Sequence, residues 1–254
     1  MISQFELSLI AGIFIGGIAG YIGTLMVVRR MSVAADPLSH LVLPGVALGL
    51  LFNFDISIGA ILSITFGMIL IWLLEIKTKL STETLIAVIF TLGAAFALLI
   101  LPGADIEEVF VGDISKINFS SAVISVVLAV ILFFVIRKFY SKMILTEISE
   151  ELAKVEGVSS KKMLFIYLIA VAIVVALGVK IVGGLLTASL LAIPAATAKN
   201  LSKNLFQYSI LGIILGVLSS FLGIFLFKFL PLPAGILITL TGGLFFFVSL
   251  IFKR

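Results

Sequence analysis

Asp36 and His40 are the two residues of this chain whose types and spacing most directly invite chemistry. They stand four positions apart in MSVAADPLSHLVLPGVALGLLF, the apolar run from Met31 to Phe52, and His40 is the only histidine. On a helix that spacing puts carboxylate and imidazole on one face, with Ser39 on the adjoining stripe. A continuous helix of this length, rising ~1.5 Å per residue, just crosses a ~30 Å hydrocarbon layer, with His40 near the middle and Asp36 one turn nearer one surface. An ionisable group at that depth costs at least ~2 kcal/mol unless it is paired or faces a wet cavity. A carboxylate oxygen beside a neutral imidazole nitrogen suits borderline divalent ions such as zinc, manganese or iron, whereas copper(I) calls for sulfur ligands. One chain supplies too few ligands, but two copies facing each other across a two-fold axis would supply two nitrogens and two carboxylates. The same spacing also fits a purely structural role, in which Asp36 hydrogen-bonds His40 or nearby backbone and fixes a helix interrupted by Pro37 and Pro44.

The elements that must hold this pair follow from composition. The chain is 62% hydrophobic and 12% charged, about half the charge of a soluble domain. It has no cysteine, which excludes a disulfide scaffold, a thiolate metal site and a cysteine nucleophile. Its net charge of +4 does not point to nucleic acid, because the bases sit at the ends of apolar runs. Those runs fall at roughly 7–28, 31–52, 56–74, 84–101, 119–136, 163–179, 181–198, 206–227 and 233–252. They predict an all-α integral membrane protein, a single transmembrane domain over 1–254 with about nine spanning helices, since a helix satisfies its own backbone in lipid. A hinge is expected at Gly178-Val179-Lys180 between the sixth and seventh runs. In the seventh, IVGGLLTASLLAIPAATAKNL, small residues allow close helix approach and Pro194 is expected to kink the helix.

Orientation follows from the bases. With the amino terminus outside and nine crossings, Arg29, Arg30, Lys77, Lys79, Arg137, Lys138, Lys142, Lys154, Lys161, Lys162, Lys199, Lys203, Lys253 and Arg254 lie inside, 14 of the 17. Lys116, Lys180 and Lys228 fall outside, where Asp105, Glu107, Glu108 and Asp113 also gather. The positive-inside rule then puts the carboxyl terminus in the cytoplasm. The outer loop 102–118 mixes those acids with Val109, Phe110 and Val111, and is expected to form a short external or re-entrant helix. The inner loop 137–162 contains TEISEELAKVEGVSSK, where Ile148, Leu152 and Val155 recur at helical spacing and Glu147, Glu150, Glu151, Lys154 and Glu156 take the other faces. This reads as a short amphipathic helix, either a connector on the membrane surface or a docking element. Its acids favour a protein partner, because an anionic inner leaflet attracts Lys and Arg.

The stretch MSVAADPLSHLVLPGVALGL resembles the signature of the zinc, manganese and iron ABC-transporter permease family, D-x-x-S-H-x-x-x-P-G-x-A-x-G, at every fixed position. Pro37 and Leu41 stand where that family often has small residues or alanine. GGLLTASLLAIPAATA is similar to the family's second hallmark, and EEVFVGDI to its outer-loop pattern. The resemblance runs in order over nearly the whole chain. It implies a type II ABC importer-like permease of a prokaryotic plasma or inner membrane, working as a homodimer embedded in membrane lipid. It also implies two cytoplasmic ABC ATPases and an extracellular or periplasmic metal-binding protein as partners. It maps the metal ligands onto Asp36 and His40, and a cytoplasmic coupling segment onto about 141–160, with Glu147, Glu150, Glu151, Leu152, Ala153 and Gly157 in the docking element. The divalent ion is substrate, and no permanent cofactor is expected.

No G-x-x-x-x-G-K-[ST] loop is present to cradle nucleotide phosphates, so ATP hydrolysis is expected in a partner, not in this chain. Three alternatives remain open at this level. A siderophore or cobalamin permease would usually be longer and would have no use for Asp36 beside His40. A proton-coupled secondary transporter could use the pair as a relay but would not need the acidic inner helix. An intramembrane hydrolase would need a second acid or a nucleophile with its base, and neither accompanies Asp36.

Overall fold

The computed structural model describes residues 3–54, 56–100 and 117–252. All regular structure among them is helical. Helix α1 spans Gln4–Val28, α2 Ala35–His40, α3 Leu43–Phe52, α4 Ile56–Thr78, α5 Thr82–Ile100, α6 Phe119–Ile148, α7 Glu150–Val155, α8 Ser160–Val182, α9 Gly184–Leu201, α10 Leu205–Phe227 and α11 Ala234–Ile251. Each of the nine apolar runs of the sequence therefore contains helix among its described residues.

Eight segments among the described residues are long and apolar enough to cross a membrane, with α2 and α3 together making one of them. Helix α9, 18 residues long, is not among the eight, and it carries Thr187, Ser189, Thr197, Lys199 and Asn200. Of the outer loop 102–118, where a short external or re-entrant helix is expected, residues 102–116 lie outside the described residues.

Helix α1 is the central post, packed against α6, α9 and α10. The approach to α10 depends on four glycines. A Cβ added at Gly20 would lie 2.1 Å from the Gly212 carbonyl oxygen, and one at Gly216 would lie 2.1 Å from that of Gly16. Each helix thus presents a G-x-x-x-G face, and with no hydrophobic drive between helices in lipid, van der Waals contact at such a face is what holds them together. Close approach was expected from the small residues around 183–196, and there it is also found: a Cβ at Gly23 of α1 would lie 1.9 Å from the Leu191 carbonyl oxygen of α9.

Three local expectations are corrected. The run from Met31 to Phe52 is not one continuous helix, since the chain turns at Leu41 and Val42 between α2 and α3. Pro37 and Pro44 therefore sit in the first turns of two helices, where a missing N–H costs nothing, and do not kink one helix from within. The hinge between α8 and α9 is at Gly183, whose φ of 89° suits glycine, not at Gly178-Val179-Lys180. Gly178 instead admits the Thr187 side chain, whose Cγ2 would be 2.6 Å from an added Cβ. Finally, α6 is 30 residues long and runs through Glu147 and Ile148, so the inner-loop helix is shorter than its apolar spacing implied.

Candidate metal centre

Helix α2 is six residues long and begins with no side-chain cap at Ala34. An isolated helix of this length would not persist in water, so its shape comes from what surrounds it. Leu38 is fully buried, and α2 packs on α9, α5 and α8. At its carboxyl end the helix stops where Ser63 of α4 donates its hydroxyl to the Leu41 carbonyl oxygen at 2.7 Å. That bond satisfies an acceptor that the turn releases from the helical ladder. Helix α3 is then pressed onto α4 through Gly45 and Gly59, where a Cβ on Gly45 would come within 1.9 Å of the Gly59 carbonyl oxygen.

This framework brings together the two candidate ligands. His40 Nε2 lies 3.6 Å from Asp36 Oδ1. The His40 side chain is 11% exposed and that of Asp36 60% exposed, so the pair has one enclosed wall and one open side. On the enclosed side the imidazole meets the Phe90 ring of α5, with centroids 5.6 Å apart. The separation of nitrogen and oxygen exceeds that of an N–H···O hydrogen bond. Two atoms each ~2.1 Å from one ion, at a tetrahedral angle, stand ~3.4 Å apart. The observed spacing is one at which both atoms could reach a single ion. Ser39 does not join them: its hydroxyl donates to the Asp36 carbonyl oxygen at 2.7 Å and is buried. Nor is Asp36 deep within a closed span, because the break after His40 and the open side expose it. No group of three or more His, Cys, Asp or Glu side chains able to hold a metal occurs among the described residues. Two ligands per chain make a complete site only with a second copy or with water.

The acidic segment of the inner loop divides into two parts. Ser149 is extended and its hydroxyl accepts from the Leu152 N–H, capping α7. Ala153 is buried, while Ile148, Leu152 and Val155 are exposed, so the apolar positions of the sequence pattern form an outward stripe. Glu150 pairs with Lys154 at 3.2 Å, and Glu151 is exposed. Gly157 closes the turn with φ 69° and an added Cβ would meet nothing within 4 Å.

Glu147 belongs to the other part. It turns inward to Arg29 at 2.7 Å, and the Arg29 side chain is only 7% exposed. The same guanidinium carbon lies 4.7 Å from the centre of the Tyr167 ring on α8. Arg29 caps the carboxyl end of α1, seven positions before Asp36, and Arg30 after it takes a left-handed φ of 59°. A cavity of about 680 Å³ collects Arg29, Glu75, Lys79, Glu147, Glu150 and Lys154 at this end of the bundle. Glu75, on its wall, accepts the Thr82 hydroxyl across the α4–α5 turn. Sequence reasoning counted Arg29 only as a topological base and missed both its buried partner and the role of Ser63. No short-range pattern could have found either, because the partners lie far apart along the chain.

Comparison with known proteins agrees with this architecture. The chain is 33% identical over 253 residues to the high-affinity zinc uptake system membrane protein ZnuB of Haemophilus influenzae, covering 97% of this chain and 96% of that one. It is 31% identical over 249 residues to the manganese import system permease protein ScaB of Streptococcus gordonii, covering 95% and 88%. Among solved structures, PsaBC from Streptococcus pneumoniae in complex with Fab superimposes with a TM-score of 0.82 at 27% identity, over 98% of this chain and 95% of that one. The model of the ABC 3 transport family matches residues 1–253, and this multi-pass membrane chain belongs to that family.

Proposed function

We propose that this chain is the membrane-spanning permease subunit of an ATP-driven importer of divalent transition-metal ions, with zinc and manganese as the leading substrates. The family match and the zinc- and manganese-named relatives support the transport class. The observation that carries the metal reading is Asp36 Oδ1 at 3.6 Å from His40 Nε2, open on one side and walled by Phe90 on the other. The ion is cargo. A site on a conduction path must bind well enough to be entered and weakly enough to be left, and a two-ligand half-site completed by a second copy meets both demands.

Two copies of the chain form the pathway, with Asp36 and His40 of each facing the shared axis. Two cytoplasmic ATPases supply the energy, docking on the outward stripe and acids of α7, and an external metal-binding protein delivers the ion. The amino terminus is outside and the carboxyl terminus in the cytoplasm. Arg29 and Glu147 join the docking element to the segment that carries the ligands, giving a material path from ATPase to metal.

The test is uptake of radioactive zinc and manganese by cells that carry the intact transporter, beside cells lacking only this chain. Loss of uptake of one or both ions is expected. Equal uptake with and without the chain, or uptake that survives removal of the ATPase, would overturn the reading. A tag at position 104 should be labelled from outside and one at 158 only after permeabilisation, and the reverse pattern would overturn the orientation.

A further inference from the structure

We infer that the face formed by α1, α6 and α10 carries a binding site for one anionic glycerophospholipid, with its phosphate on Arg137 and an acyl chain in the adjoining groove toward the membrane centre. Two cavities make the case, because they adjoin and differ in chemistry. One, of 550 Å³, is walled by Tyr21, Arg137, Tyr140, Ser141 and Ser209 among apolar neighbours. The other, of 350 Å³, is walled by Phe14, Gly17, Ala129, Val130 and Val217 and has no charged or hydroxyl-bearing residue in its lining. Phe133 and Ile213 line both, so the two lie side by side, one with a polar lining and one wholly apolar.

The depths of the two cavities match those of a lipid. Arg137 stands eighteen positions beyond Phe119, the first residue of α6, which is ~27 Å at ~1.5 Å per residue. Tyr21 stands seventeen positions beyond Gln4, the first residue of α1, or ~26 Å. Both distances approach the ~30 Å thickness of the hydrocarbon layer, which puts the polar cavity at headgroup level. Ser209 lies in the opening turns of α10, which enters the layer from the same side. The apolar cavity is two turns deeper on α1 and α6, at Phe14 and Val130.

Charge selects the ligand. Arg137 has no carboxylate partner among the described residues, no acidic residue lines either cavity, and its guanidinium leans over Phe133 with the carbon 6.0 Å from the ring centre. A planar guanidinium presents paired N–H donors that fit phosphate oxygens. Neighbouring Lys138 reaches instead toward Phe139, 5.8 Å from its ring centre. The groove alone confers no preference, since lipid tails are as apolar as its walls. The preference for an anionic lipid must therefore come from Arg137.

Native mass spectrometry of the purified complex, after exchange into mixed micelles of phosphatidylglycerol and phosphatidylcholine, tests the site by counting retained lipids. Phosphatidylglycerol should be retained preferentially by the parental protein, with Arg137→Gln lowering that retention by roughly 5-fold and Arg137→Lys, which keeps the charge but not the paired donors, lowering it less. Val130→Trp, which fills the apolar groove without touching the cation, should lower retention of both lipids. Lys142→Gln, an exposed cation on the same helix outside the cavity, should change nothing. Added inorganic phosphate should not displace the lipid, because it lacks the chain. Equal retention of the two lipids by the parental protein, or unchanged retention in Arg137→Gln, would overturn the assignment. So would an equal loss in Lys142→Gln, since that would reduce the effect to general surface charge. None of these readouts depends on metal transport.

Discussion

Helices α2 and α7 are each six residues long, yet they are held by opposite means. Helix α7 is made by its own sequence: Ser149 caps its first turn, Glu150 and Lys154 pair along it, and Gly157 ends it in a left-handed turn. Helix α2 has no side-chain cap and carries Pro37 in its first turn, and it is held by Leu38 in the core and by Ser63 reaching its last carbonyl region from α4. On the proposed reading, a docking element can be local because it needs only to present a surface. A ligand pair would have to keep a fixed distance, and packing on neighbouring helices supplies that rigidity.

The largest expected effect sharpens the contrast at α2. His40→Ala and Asp36→Asn should each lower metal uptake by more than ~10-fold while insertion and ATPase association stay at parental levels, since ligands, not packing groups, are removed. If both variants accumulate metal at the parental rate, the pair is only structural and the metal reading fails.

Next in size is the link between the two regions. Glu147→Leu removes the carboxylate that contacts the enclosed Arg29 guanidinium, and should cost about 2 kcal/mol of stability, below the ~3–5 kcal/mol of a fully buried pair because Glu147 is partly exposed and Glu75 lines the same cavity. Thermal unfolding of the purified protein reads this, and the Arg29→Leu, Glu147→Leu double variant should recover part of the loss. A double variant as unstable as the sum of the two singles would show that the ions do not act as a pair.

A smaller effect is expected on the surface of α7. Charge reversal at Glu150 and Glu151 should weaken ATPase binding several-fold, read by copurification, yet shift unfolding by no more than ~0.5 kcal/mol, as exposed substitutions do. Unchanged copurification and transport would remove α7 as the docking element.

The smallest effects separate local from tertiary control. Gly157→Ala should cost about 1 kcal/mol through φ alone, because its Cβ would meet nothing. Ser63→Ala should cost a similar ~1 kcal/mol through a lost hydrogen bond, but should also loosen the ligand spacing and so lower uptake. Uptake unaffected in Ser63→Ala would show that α2 is fixed by packing alone.

The helical class and the membrane setting were legible, and Asp36 and His40 stood out as candidates, because each reading depends on short-range information. Apolar runs of spanning length have one solution in lipid, and Asp36 and His40 are exceptional in such a run wherever it folds. The segment at α7 was legible in outline for the same reason, though the long α6 absorbed Glu147 and Ile148, which spacing alone had assigned to the short helix.

What only the tertiary structure decided is where regular helix stops and what each charge meets. At the turn of Leu41 and Val42 the Leu41 carbonyl is satisfied by Ser63, which lies on a different helix. Arg29 is a topological base in the sequence and a buried partner of Glu147 in the fold. Periodicity records which face of a helix is apolar, but not which neighbour that face will meet. The 3.6 Å between Asp36 and His40, and the open side from which an ion could reach them, are therefore properties of the packed bundle.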